Sequence, residues 1–386
     1  MKSLFVKLLA CAAFVPAACC GQSLNPLPDW ALGGFVRPEG VNPVIAPDPG
    51  VRFFCPMRRD SVGWRESDTF NPAAVVRDGK ICVLFRAEDN SGVGIGKRTS
   101  RIGLAESTDG VTFRFRNDPV LFPDDDAMQP YDWPGGCEDP RVAVTEEGLY
   151  VMFYTSWNRR TPRLCVATST DLLTWTKHGC IFEKAYGGRF MNRPSKSASI
   201  VTKRAGDRLV IARVQGKYLL YWGERMVNIA TSDNLIDWTP EVDDAGELKA
   251  VLRPRAGYFD SALTECGPPA LLTDRGILLL YNGQNRLGDG RDHRYPPRTY
   301  AAGQALFDAQ DPGRLLARLD TPFFRPVADF EKRGQYVDGT VFIEGLVYYG
   351  SKWYLYYGCA DSYVGVAVCD PAAPAPGDPI PPVQEP

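Results

Sequence analysis

Ile102-Gly103-Leu104-Ala105-Glu106-Ser107, Leu164-Cys165-Val166-Ala167-Thr168-Ser169 and Val227-Asn228-Ile229-Ala230-Thr231-Ser232 are copies of one pattern, each followed by Asp and then by Phe113, Trp175 or Trp238. From alanine to alanine, and from aromatic to aromatic, the steps are 62 and 63 residues. A fixed period of this length marks a repeated supersecondary unit. Weaker copies follow at Gly303-Gln304-Ala305-Leu306-Phe307-Asp308 and Gly365-Val366-Ala367-Val368-Cys369-Asp370, which makes five. Ahead of each copy stands an apolar-aromatic run: Val83-Leu84-Phe85-Arg86, Val151-Met152-Phe153-Tyr154, Leu219-Leu220-Tyr221-Trp222, Leu279-Leu280-Tyr281-Asn282 and Tyr354-Leu355-Tyr356-Tyr357. Ahead of each run lies another strand-like segment ending at a Gly turn, as in Pro72-Ala73-Ala74-Val75-Val76 before Gly79. Three strands per unit and five units of roughly 60–75 residues predict an all-β chain folded as a five-bladed β-propeller. A fourth strand per blade has no clear signal. Blades stacked face to face bury both sides of each sheet, which explains continuous apolar runs in place of strict alternation.

Composition agrees with short strands joined by turns: 37 Gly, 32 Pro and 11% aromatic residues among 386. Lys plus Arg number 44 against 46 Asp plus Glu. That near-balance supplies no field to hold nucleic acid or an anionic membrane surface. The two histidines, His178 and His293, have no zinc-type spacing and cannot readily complete a Ser or Cys triad. No metal and no cofactor is therefore predicted.

At the N-terminus, a basic start, a short apolar stretch and small residues before Cys19 and Cys20 read as a signal peptide over residues 1–20. The apolar run is too short to span a bilayer. Pro16-Ala17-Ala18-Cys19 looks like a bacterial lipobox with Pro in place of the usual Leu, so a lipid anchor on Cys19 is an open alternative to simple secretion. The expected location is exported: periplasmic, or anchored at the outer membrane of a bacterium. Residues 21–370 are assigned to the propeller, with Trp30, Phe35, Val44 and Ile45 packing as an irregular strap. Residues 371–386, Pro-rich and nearly devoid of large apolar groups, read as a disordered tail. Eight cysteines outside the leader permit disulfides in an oxidising compartment, but Cys82, Cys165 and Cys359 fall inside apolar strands as buried thiols.

In a propeller the starts of the first strands converge at one mouth of the central channel. Those starts read Phe70-Asn71-Pro72, Cys137-Glu138-Asp139-Pro140-Arg141, Arg193-Pro194-Ser195-Lys196-Ser197, Leu263-Thr264-Glu265-Cys266-Gly267 and Phe342-Ile343-Glu344-Gly345. Charges placed there cost desolvation and are kept mainly where they pair or bind something. Asp139 is the candidate general acid, on the argument that Glu138 beside it raises the proton affinity of one member of the pair. Taken alone, it also reads as a salt-bridged turn residue. Glu265 precedes Cys266-Gly267-Pro268-Pro269 and reads equally as a loop carboxylate capping amides. Glu224, in Tyr221-Trp222-Gly223-Glu224-Arg225, has an ion pair with Arg225 as its plainer reading. Arg86 and Asp89 close one strand and Asp361 another. Together, acids for glycosidic chemistry, planar donors for hydroxyls and aromatics for ring faces describe a sugar site.

These residues resemble glycoside hydrolase family 130, the mannoside phosphorylases and β-mannosidases. Phe70-Asn71-Pro72-Ala73-Ala74-Val75, Phe85-Arg86-Ala87-Glu88-Asp89, Glu138-Asp139-Pro140-Arg141, Gly267-Pro268-Pro269 and Lys352-Trp353-Tyr354-Leu355-Tyr356-Tyr357-Gly358 carry the resemblance across residues 35–370. It implies the five-bladed propeller, Asp139 as catalytic acid, and Asn71, Arg86, Asp89, Arg141, Lys196 and Asp361 around a mannose. Hydrolytic members resemble this chain in having glutamates, here Glu224 and Glu265, where phosphate otherwise binds. The expected activity is an inverting exo-β-mannosidase for β-1,2-linked mannosides, with a mannose-containing oligosaccharide as partner. Arg159 and Arg160 lie near where a phosphate-binding Arg is expected, so a phosphorylase releasing mannose 1-phosphate is the alternative. A carbohydrate-binding propeller without catalysis is a third reading, disfavoured by the density of acids.

Overall fold

The computed structural model describes residues 27–372. The signal peptide assigned to residues 1–20, and all of the assigned tail except residues 371 and 372, lie outside the described residues. The fold is almost entirely β, with one four-residue α-helix, Gln129–Asp132, and two short 3₁₀ turns.

The strands pair as successive antiparallel meanders. The first joins Asp68–Arg77, Lys80–Glu88 and Ser100–Ser107. The second joins Gly136–Val144, Tyr150–Trp157 and Pro162–Ser169. In the third, Ala198–Ala205 pairs with Lys217–Trp222, which pairs with Val227–Ser232. The fourth has a split inner strand, Leu263–Cys266 and Ala270–Thr273, against Gly276–Gln284 and then Tyr300–Phe307. The last joins Val341–Tyr349, Lys352–Cys359 and Tyr363–Cys369. Every repeat copy is the third strand of a meander, and every apolar-aromatic run is the second.

The outer strands that gave no sequence signal are only two to five residues long, as in Arg114–Phe115, Thr176–Cys180 and Leu315–Arg318. Runs that short hold too few alternating positions to show a period. The last meander has its outer edge covered from the N-terminal side, where Val36 bridges Val368 and Ile45 bridges Val364. That is the strap expected of Phe35, Val44 and Ile45, and it hides an otherwise open strand edge.

The recurring Ser followed by Asp or Asn closes the turn after each of the first three third strands. Ser107, Ser169 and Ser232 hydroxyls accept the amides of Gly110, Leu172 and Leu235. Asp109, Asp171 and Asn234 side chains accept the amides two and three residues on. Such side-chain turns are the local reason the pattern repeats. The aromatics then pack between meanders: Phe153 against Trp238, Tyr221 against Phe307, Phe324 against Tyr357 and Phe113 against Tyr356, with ring centroids 4.9–5.9 Å apart.

All eight described cysteines are free and buried, so the disulfides that the cysteine count permitted do not form among the described residues.

Candidate active site

Three of the inner strands carry an irregularity where the site lies. Pairing slips between Phe70 and Pro72, between Glu138 and Arg141, and between Ile343 and Gly345. The extruded residues are Asn71, Asp139 with Pro140, and Glu344. Asn71 and Asp139 sit at φ 46° and 49°, and Ser197, just ahead of its strand, at φ 54°. Left-handed backbone at non-glycine residues is held by the surrounding structure, and bulges re-aim side chains out of a sheet. Here they turn inner-strand side chains toward a common cavity.

That cavity has a volume of about 200 Å³ and is walled by Asn71, Arg86, Glu88, Asp139, Lys196, Glu224, Glu265 and Asp361, with Phe70, Tyr300, Tyr336 and Phe342 as its aromatic surfaces. A polar cleft of this size, with aromatic walls, has room for at least one sugar ring. Asp139 Oδ1 accepts from Asn71 Nδ2 at 2.8 Å and from Arg86 NH1 at 2.9 Å, and Lys196 Nζ stands 3.5 Å from Oδ2. Arg86 also reaches Glu88 at 2.6 Å and Glu138 at 2.9 Å, and lies over the Phe70 ring. On the far wall, Ser197 Oγ donates to Glu265 Oε1 at 2.5 Å. The loop carrying Glu224 is clamped between these walls: Gly223 N donates to the Lys196 and Ser197 carbonyls, and Cys266 N donates to Gly223 O. Gly223 takes φ +127°, and a Cβ there would collide with Met226 O. Glu224 makes no ion pair with Arg225 among the described residues, so that plainer reading does not hold.

Burial and charge divide the carboxyls. Burial pushes Asp139 up, but the Arg86 and Lys196 cations and the Asn71 amide outweigh it and hold Asp139 well below the usual carboxylate range. Glu138 moves the other way, to about 7, chiefly through burial, with Arg86 opposing. The proton expected on Asp139 is held instead by Glu138, where burial does most of the lifting and the Asp139 charge adds to it. Burial lifts Glu265 to about 8, against Lys196 and helped by Glu224, and lifts Asp361 to about 6. Lys196 is pushed down by burial, yet the acids around it, Asp139 first, hold it above the ordinary lysine value.

Seven of the nine proposed site residues line this cavity; Asp89 and Arg141 do not. Asp89 lies one residue past its strand. Its Oδ2 pairs with Arg101 at 3.0 Å, and its Oδ1 accepts the amides of Ser91 and Thr99, tying the ends of the intervening loop. Glu88 takes the place expected of Asp89, because strand alternation sets residues 86 and 88 on one face. Arg141 lies beneath the floor of the cavity, bonded to main-chain carbonyls. The alternation from Arg86 was the sequence signal for Glu88. For Tyr300, Gln335, Tyr336 and Thr340 there was none, since Tyr300 comes from the start of a third strand and the others from a connection, all outside the inner strands. Several wall atoms have no hydrogen-bond partner among the described residues: Asn71 Oδ1, Gln335 Oε1 and Thr340 Oγ1.

Acids, guanidinium, amide and aromatic rings around a sugar-sized cavity on an all-β scaffold define a carbohydrate-active enzyme. The chain belongs to glycoside hydrolase family 130, whose model, described as beta-1,4-mannooligosaccharide phosphorylase, matches residues 56–371. One similar solved structure is 60% identical, with TM-score 0.91 over 92% of this chain and 99% of that one. It is described by the finding that this family of mannoside phosphorylases contains glycoside hydrolases targeting β-1,2 mannosidic linkages in Candida mannan. A glycosyl hydrolase from Bacteroides ovatus is 61% identical, with TM-score 0.90 over 92% of this chain and 99% of its own. Among curated proteins, the 1,2-beta-oligomannan phosphorylase of Thermoanaerobacter sp. (strain X514) is 29% identical, covering 80% of this chain and 91% of that protein.

Proposed function

We propose that the protein is an exported, exo-acting β-mannosidase that hydrolyses β-1,2-linked mannosides by single displacement, with inversion, on a five-bladed propeller. The propeller reading is supported by meanders that follow chain order and by contacts that join the last to the first. Tyr356 packs on Phe113, and Tyr349 OH donates to Gly79 O. The observation that carries the hydrolytic reading is Glu224 and Glu265 in one cavity with Asp139. Five lining acids face only two lining cations, Arg86 and Lys196, both engaged with carboxylates; Arg159 and Arg160 are not in the wall. A phosphate dianion would enter a net-negative pocket, whereas a water is oriented by the same carboxylates. The β-1,2 linkage is supported by the 60% identical relative described as targeting it.

In this mechanism Asn71, Arg86 and Asp361 hold the terminal mannose, Asp139 delivers the proton to the leaving oxygen through a sugar hydroxyl, and Glu265 with Glu224 removes a proton from water. The free protein holds the opposite protonation, with Asp139 ionised and Glu265 protonated at neutral pH. A sugar hydroxyl inserted between Asp139 and Lys196 weakens the attraction that keeps Asp139 ionised and raises its proton affinity. Lys196, freed toward Glu265, favours the charged base. Residues 1–20 are the export signal in this reading; in the lipoprotein alternative the cut falls before Cys19, which then carries the lipid.

The phosphorylase alternative draws on the names of the curated relatives. Proton NMR during hydrolysis of β-1,2-mannobiose, with and without phosphate, separates the two. We expect α-mannose as the first-formed sugar and no phosphate dependence. Initial β-mannose refutes inversion, and mannose 1-phosphate accumulating in phosphate buffer refutes hydrolysis.

A further inference from the structure

We infer that Arg141, held by Glu344, is a positioning residue that sets the spacing between the Asp139 and Glu265 walls of the cavity. The inference rests on the reading above that these two carboxyls are the reacting pair. Arg141 is 1% exposed and touches no cavity surface. Its guanidinium donates from NH1 to the Asp139 carbonyl at 3.1 Å, from Nε to the Gly267 carbonyl at 3.0 Å, and from NH2 to the Cys266 carbonyl at 3.1 Å. One rigid planar group therefore ties the backbone of the candidate acid to the two residues that follow the candidate base, across 125 and 126 positions of sequence. Arginine suits this because its donors form a fixed fork, which lysine lacks.

The buried guanidinium faces a buried acid, Glu344, whose carboxyl burial pushes well above the usual range against the pull of Arg141. Glu344 Oε1 lies 2.7 Å from Arg141 NH1, and Glu344 is fully buried at the bulge of its own inner strand. The contact is an ion-pair distance only: neither Oε1 nor Oε2 meets hydrogen-bond geometry with a partner among the described residues. Neighbouring contacts fix both ends. Asn282 accepts the Ile343 amide and donates to the Ile343 carbonyl, and Ser199 Oγ donates to the Gly267 and Pro268 carbonyls. At Gly267 a Cβ would come 2.7 Å from Leu280 O, so glycine is needed for the chain to approach this closely. A pair that served packing alone could be exchanged for apolar groups of similar volume; a spacer between reacting groups could not.

The test uses Arg141→Lys, Glu344→Gln and the double variant Arg141→Met/Glu344→Leu, each characterised by crystal structure, melting temperature, and kcat and KM on β-1,2-mannobiose. Because Met and Leu restore an uncharged packed interior, the double variant should melt close to the wild type. In Arg141→Lys and the double variant the separation of the Asp139 and Glu265 carboxyls should change by about 0.5 Å or more. Turnover should fall roughly 10- to 100-fold, with KM changing less than about threefold. Glu344→Gln should show a smaller shift in the same direction. Unchanged carboxyl separation overturns the inference, as does a double variant whose turnover recovers together with its melting temperature. The crystallographic arm is independent of the reaction. If the wild type releases sugar only with phosphate, the hydrolytic reading fails while the spacing is still judged from the structures and from phosphorolysis rates.

Discussion

Replacing Glu265 by Gln removes one proton-accepting group and almost nothing else, which makes it a direct probe of the base. The side chain is buried, accepts Ser197 Oγ at 2.5 Å, and titrates near 8 because burial opposes its charge. At neutral pH it is mostly neutral, so an amide reproduces its resting state, and the melting temperature near pH 7 should move by no more than about 3 °C. Above about pH 8.5, where the wild-type carboxylate is charged, loss of a general base should lower kcat/KM by roughly 10²–10⁴, or about 3–5 kcal/mol of transition-state stabilisation. Both enzymes share the same acid, so the ratio of wild type to variant follows the charged fraction of Glu265 and falls about tenfold per pH unit below its titration point, since only the charged form accepts a proton. Near pH 6 about 1% is charged, so the gap between wild type and variant should narrow by about two orders of magnitude. The assay is mannose release from β-1,2-mannobiose between about pH 5.5 and 9. A wild-type to variant ratio that stays constant across that range, or a variant keeping more than about a tenth of wild-type kcat/KM near pH 8.5, refutes Glu265 as the base.

Asp139→Asn should lower turnover by at least ~10² while substrate binding, measured calorimetrically, largely survives; near wild-type rates would place the acid elsewhere. Stability should fall as pH rises from about 5 to 8. Glu138, Asp361 and Glu265, lifted mainly by burial to about 7, 6 and 8, hold protons in the folded state that the unfolded chain releases near 4. Their contribution is complete below the unfolded values and is lost through pH 6–8. Asp139, held low, contributes a constant amount in that window. A melting temperature that rises steadily from pH 5 to 8 contradicts these shifts. The eight described cysteines are free, buried thiols, so a thiol reagent should label none of these eight in the native protein and all of them on unfolding, as read by peptide mapping, and dithiothreitol should leave melting unchanged; labelling of any of the eight in the native protein would show a more open fold.

The repeat was legible because each third strand carries the same local demands: an alanine packed at 0% exposure at residues 105, 167 and 230, and a Ser with Asp or Asn to close the next turn. Local hydrogen bonding and a tight inter-sheet contact act on a few consecutive residues, so they leave a readable period. Asp139 and Glu265 were legible for a related reason, since each stands at an inner strand where a charge is costly unless used. Their protonation was not. Whether Glu138 or Asp139 keeps the proton depends on Arg86, Lys196 and Asn71, which arrive from three other stretches of chain, and the order came out opposite to the one that the adjacent pair suggested. The same holds for Asp89 and Arg141, whose motifs gave their identities but not their neighbours. Sequence alone determined the period, the strands and the residue types, because these answer to neighbours along the chain. Only the tertiary structure decided which carboxyl is charged, which arginine meets the cavity and which lies under it, because electrostatic energy depends on distances between segments that lie 52 to 126 residues apart in sequence.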